Sequence, residues 1–562
     1  MTSSVGSASG EGRGPLGYVA LVLHAHLPYV RHPEHERSLE ERWLFEALWE
    51  SYLPLVGMLD RLENEGIRAP FSLSVSPPLA AMLLDPMLCA RFEDHVTRTR
   101  AVADRALARE GTSGALGPAI RHHRRRLDEA RSVWDRHEGR VLRALVHHHR
   151  GGRVDLLTTC ATHGFLPGLA VARTEPWARA QVRVGQLAFE AMTGVRPRGL
   201  WLPECAFAPA IDDVLASAGV AFSVLDAHGL ALAQPRQDVA SLGEGDGALV
   251  VPVSPIRSPS GAMYFGRDLF AGRSVWAMDG YPSHPDYREF HRDLGFDLPE
   301  ADLLGEVGPG GTRVATGIKP YRITGSERKM PYRAEAAEAL AGVHAEAWVR
   351  DRAWLFGEVP RGKSPPLSVA PFDAELFGHF WHEGPVFLER ALRALARAAE
   401  EGGPEAISLS EYSERFPEAN VAAPAVSTWG EGGFAETWTG PRTASLWRHV
   451  HHASAEVLGA VRSAGPVAGV RGEALDQAIV EALLVQSSDF PFMVHQGTTV
   501  EYALSRTALH AANARRLSAI ALTESPTPDD VAFTRAARER APLFRDLAPG
   551  ELRAALHTEE RV

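Results

Sequence analysis

Gly17 to Leu27 (GYVALVLHAHL) is an almost unbroken apolar run, and from Glu40 to Glu63 the apolar positions, Trp43, Phe45, Leu53 and Leu59 among them, return with helical spacing. This predicts a buried strand followed by an amphipathic helix. Further strand-like segments lie at Phe71 to Val75, Val154 to Thr159, Gly199 to Leu202, Ala221 to Leu225, Ala248 to Val253, Val314 to Ile318, Leu367 to Phe372 and Ile407 to Leu409. Helical patterns separate several of them: Glu175 to Met192, Ile211 to Ala218, Ala334 to Phe356 and Val386 to Glu401. Strands alternating with helices predict an α/β fold with a parallel sheet, and so many units favour closure into a barrel over an open sheet.

Two regions break the alternation. Arg91 to Arg150 holds two charged helical stretches around the breaker Gly111 to Pro118, which predicts an inserted helical hairpin. Its histidines, His122, His123, His147, His148 and His149, read as a solvated face rather than a metal cluster. From Ala444 onward the pattern is mainly helical, with helices expected at Ala444 to Ala464, Ala474 to Val485, Val500 to Thr523 and Pro528 to Arg540, as a separate packing domain. The expected organisation is a flexible N-terminus over 1–16, a barrel over 17–90 and 151–440, the insertion over 91–150, and a C-terminal helical domain over 441–562.

Composition narrows the function. With 45% hydrophobic and 23% charged residues in 562, the chain is neither disordered nor collagen-like. A net charge of -11 with no Lys/Arg stripe argues against a nucleic-acid partner. No run approaches the roughly 18 apolar residues of a membrane span, and the Ser/Gly-rich start lacks a signal-peptide core, so a cytoplasmic protein with no membrane partner is expected. Cys89, Cys160 and Cys205 are widely spaced, which indicates neither a disulfide framework nor a thiolate zinc site.

Polar clusters sit where strands end, the position a barrel gives its active site. His24-Ala25-His26 points two imidazoles to one side, able to ligate a metal, hydrogen-bond a ligand or sit as satisfied core histidines. Trp201-Leu202-Pro203-Glu204-Cys205 and Phe372-Asp373-Ala374-Glu375 each place carboxylates beyond an apolar strand. Each carboxylate could cap a following helix. Two of them from different strands, amid Trp201, Trp276, Trp381, Trp429 and Trp438, also suit glycosidic chemistry. The chemical rival is a zinc hydrolase, with His163 and Asp226 as further ligands.

The strings HAHLPYV (His24 to Val30), ATHGFLP (Ala161 to Pro167), WLPECAF (Trp201 to Phe207), FDAELFGHFW (Phe372 to Trp381) and STWGEGGF (Ser427 to Phe434) resemble, in order, the signature regions of glycoside hydrolase family 57. FGRD (Phe265 to Asp268), TGIKPYRITG (Thr316 to Gly325) and QSSDFPF (Gln486 to Phe492) look most like its members that branch 1,4-α-glucans. The resemblance implies an incomplete (β/α)7 barrel with a helical insertion and a C-terminal helical domain, a retaining mechanism, and neither metal nor cofactor. It makes Glu204 the nucleophile and Asp373 the general acid/base. It gives His24, His26 and His163 to sugar hydroxyls, Trp43, Trp276, Trp429 and Trp438 to aromatic platforms, and Arg267, Ser283 and Asp489 to holding the glucan. The implied partner is an α-glucan such as amylose or glycogen. An α-amylase or 4-α-glucanotransferase of the same family, or a weakly active glycan-binding protein, is the alternative. Where branching members usually carry a tyrosine on a mobile loop, Val250 stands here, beyond the Gly-rich loop 234–247, and this implies more hydrolysis and slower transfer.

Overall fold

The computed structural model describes residues 14–557 apart from 112, 172–173, 237–239, 243–248 and 360–361, together with the backbone but not the side chains of 240–242, 249–250 and 309. Most of the expected flexible N-terminus and much of the 234–247 loop therefore lie outside the described residues.

The barrel strands are β1 (Gly17–Ala25), β2 (Phe71–Val75), β3 (Val154–Leu157), β4 (Phe222–Leu225), β5 (Met263–Gly266) and β6 (Leu367–Asp373). β1 is buried along its length, as its unbroken apolar run requires, and pairs in parallel with β2 on one side and β6 on the other. β3 follows β2, and the ladder continues through the parallel bridges Thr158 to Leu200 and Gly199 to Phe222 into β4, which pairs with β5. The Asp268 N–H donates to the Val369 carbonyl at 2.8 Å, joining the β5 edge to β6. The result is the α/β, incomplete (β/α)7 architecture with a helical C-terminal region.

Several expected strands take other forms. Residues 314–318 have no regular structure because the N–H groups of Thr316 and Gly317 are taken by the buried Asp293 carboxylate, at 2.7 and 2.9 Å. Leu249–Val251 is not a barrel strand; it pairs antiparallel with Ala240–Leu242, so Val250 lies in a short ribbon and its side chain is outside the described residues. The strand expected at Ile407 falls at Pro404–Ala406, because the Ser408 hydroxyl caps helix Leu409–Arg415 by accepting the Glu411 N–H at 3.2 Å. β5 had no separate signal, being only the four residues Met263 to Gly266. The helix after β1 is split: Glu41–Ala47 and Leu53–Asn64 flank a π turn, Leu48–Tyr52, all five of whose residues are buried.

The insertion contains three helices, Pro86–Glu110, Gly117–Arg136 and Val141–Arg150. Its histidines do not form a solvated face. His122, His123 and His148 are buried: His122 Nε2 bonds His382 Nε2 at 2.9 Å, His123 bonds the Lys319 carbonyl, and His148 bonds Asp60 at 3.0 Å. The histidine run falls where the insertion packs back on the barrel, so polar composition misled about burial. Helices Ala444–Ser463, Gly469–Val485 and Val500–Leu522 pack on one another, and Gln181 of a barrel helix bonds Gln486 at 2.9 Å and the Leu483 carbonyl at 3.3 Å. No helix among the described residues is long and apolar enough to cross a membrane.

Candidate active site

Parallel strands all end on one side, and the register brings chemistry together there. Cα pairing sets His24 of β1 opposite both Asp373 of β6 and Ser74 of β2. Glu204 enters from the segment after the Leu200 bridge, with φ 64° and ψ 19°, followed by Cys205 also at positive φ. This left-handed geometry is costly for residues with a Cβ and is kept where a side chain must be aimed. A cavity of about 510 Å³ opens above the strand ends, lined by Glu204, Asp373, His24, His26, His163 and Asp489 among others.

Neither carboxylate caps a helix. The helix after Glu204, Pro209–Ser217, has Ala208 at its N-cap with no side-chain bond, and Asp373 makes none to the turn that follows it. Glu204 instead accepts from Ser488 Oγ at 2.7 Å and from Trp429 Nε1 at 2.8 Å. No hydrogen bond from a described residue reaches the Asp373 carboxyl; its neighbours are the charges of His26 and Arg267. Burial raises both acids, Glu204 to about 7 and Asp373 to about 6. Hydrogen bonding distinguishes them: two donors hold Glu204 and favour its ionised form against burial, and no donor among the described residues reaches Asp373.

The histidines form one network. Ser74 Oγ lies 3.3 Å from His24 Nδ1, His24 Nε2 lies 3.0 Å from His163 Nε2, and His163 Nδ1 lies 2.7 Å from Ser488 Oγ. Burial, with neighbouring imidazoles adding to it, pushes His24 and His163 well below the usual histidine range, so both are neutral. A neutral ring has one N–H, which leaves two consistent proton orders along the chain from Ser74 to Glu204. The order in which Ser488 Oγ–H donates to Glu204 matches an ionised Glu204, a form that the Trp429 N–H also favours. His26 differs. Burial opposes its charge, but Asp489 at 3.1 Å, with Glu375 and Glu204 beyond, raises its pKa, so Nδ1–H donates to Ser76 Oγ at 2.9 Å and Nε2–H to Asp489. Asp489, which burial alone would raise, is held at about 2 by His26 and its other partners.

The remaining expected residues divide. Arg267, Trp276, Trp429 and Trp438 line the cavity. Trp276 is 51% exposed at the rim; Trp438 is buried and stacks on Phe165 at 5.4 Å. Ser283 is exposed in the turn Tyr281–Ser283, and Trp43 packs edge-on against Tyr502 at 5.6 Å; neither is among the cavity's lining residues. Asp226, the ligand a zinc hydrolase would need, bonds Arg267 and His228, each at 3.2 Å. His26, His163 and Asp489 turn three ligand atoms to within 4.8 Å of one another, but these atoms already serve the hydrogen bonds above.

A profile of glycosyl hydrolase family 57 matches residues 20–268, and one of the 1,4-α-glucan branching enzyme C-terminal region matches 449–549. A probable 1,4-α-glucan branching enzyme of Mycobacterium tuberculosis is 33% identical over 545 residues, covering 89% of this chain and 92% of that protein. The chain belongs to glycosyl hydrolase family 57. Crystal structures of the family 57-type branching enzyme from Pyrococcus horikoshii and of the α-amylase AmyC from Thermotoga maritima superpose with TM-scores of 0.82 and 0.83. Their identities are 26% and 30%, with coverage of 97% and 96% of this chain and 97% and 99% of theirs.

In this family 57 chain, sequence reasoning gave no site role to Ser488, which bridges Glu204 and His163, or to Glu375, weighed only as a strand-end carboxylate that could cap a helix, whose carboxyl accepts from the Tyr52 hydroxyl and from the His26 backbone N–H at 3.2 Å. Burial and the adjacent Asp373 raise Glu375 to about 8. Both stand next to residues already singled out, Asp489 and Asp373, and adjacency was the available signal.

Proposed function

We propose that this chain is a retaining 1,4-α-glucan branching enzyme acting on glycogen-like glucan in the cytoplasm. The observation that carries the reading is the pair of unlike carboxyls on one cavity, Glu204 gripped by two donors and Asp373 by none. In the first step the Glu204 carboxylate attacks the anomeric carbon while Asp373 gives its proton to the glycosidic oxygen, releasing the chain end and leaving a glycosyl ester on Glu204. In the second, Asp373 takes the proton of an acceptor 6-hydroxyl, whose oxygen displaces Glu204 and forms the α-1,6 bond.

His24, His26, His163 and Asp489 form one hydrogen-bonded wall of the cavity against which the sugar would lie. Trp276 and Trp429 offer flat faces, and Arg267 backs Trp429 at 5.8 Å. The reading needs no contact from Trp43 or Ser283, no metal and no cofactor. The relatives' names and the matched C-terminal profile favour branching over hydrolysis, since an amylase shares only the first step. The test is incubation with amylose, then debranching and chain-length analysis. New α-1,6 linkages are expected; reducing ends without branches would make the chain an amylase, and an unchanged glucan would make it a binding protein.

A further inference from the structure

We propose that Phe380, backed by Phe290, is the platform on which the acceptor glucan lies. The inference rests on the branching reading and deepens it by locating the second substrate. Phe380 lines the catalytic cavity yet is 50% exposed, while its chain neighbour Trp381 is 2% exposed. An exposed ring continuous with a glycan cavity presents an apolar face to solvent, where a pyranose C–H face can cover it.

The ring does not hang on a loose loop. Trp381 N–H bonds the Leu376 carbonyl at 2.9 Å, Gly378 N–H bonds the Trp381 carbonyl at 2.8 Å, and His379 N–H bonds Ser51 Oγ at 3.1 Å, while the His379 ring is held by Glu50 of the π turn. Gly378 has φ 126°, and a Cβ there would meet the Glu50 carbonyl oxygen, so the hairpin is seated on the π turn. Phe290, half-buried, lies 5.3 Å from Phe380 with the planes 33° apart. Lys319 Nζ sits 4.1 Å from the Phe290 ring centre, and His379 meets it edge-on at 5.4 Å. Phe380 is thus a fixed ring in the cavity lining with Phe290 packed against it.

The position selects the occupant. Trp429 is tied to Glu204, so it belongs to the side where the glycosyl unit is held. Phe380 stands on the segment of Asp373, the group that serves the departing oxygen and then the incoming one. Phe380 and Asp373 line the same cavity, so a chain lying on Phe380 shares it with the group that must deprotonate the acceptor hydroxyl.

The experiment uses a maltooligosyl fluoride as donor and a maltooligosaccharide as acceptor, and measures the partition of the glycosyl enzyme between transfer and water. Partition is set after the ester forms, so a general slowing of the first step does not move it. In Phe380→Ala the transfer-to-hydrolysis ratio at limiting acceptor should fall roughly tenfold, the loss expected when one face of an aromatic ring is removed. It should recover as acceptor is raised, and Phe380→Trp should keep the parent ratio. An unchanged ratio overturns the platform. So does a low ratio that added acceptor cannot restore, which would make Phe380 a water barrier. Linkage analysis of the parent's product keeps the two proposals apart: α-1,4 products alone would defeat branching while the acceptor dependence still tests Phe380, and no transfer at all would defeat both.

Discussion

Ser488→Ala isolates what the C-terminal region contributes to the nucleophile. The Ser488 hydroxyl donates to Glu204 at 2.7 Å and faces His163 Nδ1 at 2.7 Å, with no exposed surface. A hydrogen bond to a buried charge is worth about 1.5–3 kcal/mol, and because it favours the carboxylate over the acid, its loss raises the Glu204 pKa by roughly 1–2 units. Glu204 is raised already, to about 7, and on the proposed mechanism reacts only when ionised. The acid limb of kcat/KM should therefore move to higher pH by about 1–2 units, and activity near neutrality should fall by roughly tenfold or more, with partial recovery as the pH is raised. The limbs belong to the coupled Glu204 and Asp373 pair, so the readout is displacement of the whole acid limb. The assay is initial-rate turnover of a maltooligosyl fluoride from pH 4 to 9. A uniform loss at every pH, with the limb in place, would show that Ser488 merely supports the fold.

Glu204→Gln should stabilise the protein at high pH. Its carboxyl has a folded pKa above the usual carboxylate value, so the native state holds a proton that the unfolded chain releases; the cost is absent below about pH 4.5 and complete above about 7, where it is on the order of 3 kcal/mol. Thermal melts at pH 4 and pH 8 check this, and an equal change in Tm at both would refute it. Activity should survive EDTA, because His26 and Asp489 bond each other and His163 bonds His24 and Ser488; loss with EDTA and return with zinc would place a metal there. Val250→Tyr should raise the ratio of new α-1,6 bonds to new reducing ends, and no change would show that another residue shields the ester from water.

The barrel was legible where a strand is buried on both faces, because such a strand is written as an apolar run: β1, β2 and β6 follow their patterns closely. It was illegible where pairing depends on partners rather than composition. β5 is four residues long, so no local pattern separates it from loop, whereas the apolar run Gly199 to Leu202 was legible and appears as the bridges at Gly199 and Leu200. Residues 314–318 carry a strand's composition but surrender their N–H groups to Asp293, a carboxylate about twenty residues away. The same asymmetry holds in the site. Glu204 and Asp373 stood out because a carboxylate directly after an apolar strand is unexpected. Ser488 did not, because a serine at a helix start has an ordinary role.

Ser488 and Asp489 also change what the C-terminal helices are for. The barrel alone would bring three acids, Glu204, Asp373 and Glu375, to one buried cavity with His26, and burial drives all three acids toward their neutral forms. Two neutral acids cannot perform double displacement, since one must attack as a carboxylate. Asp489 pairs with the His26 charge. Ser488 supplies Glu204 with a donor that, together with Trp429, holds it ionised. Neighbouring residues of one segment thus act in different directions, one fixing a cation and the other an anion. The expected packing domain thus supplies hydrogen bonds and charge to the candidate site, where Glu204 lies in the barrel but is bonded from beyond residue 440.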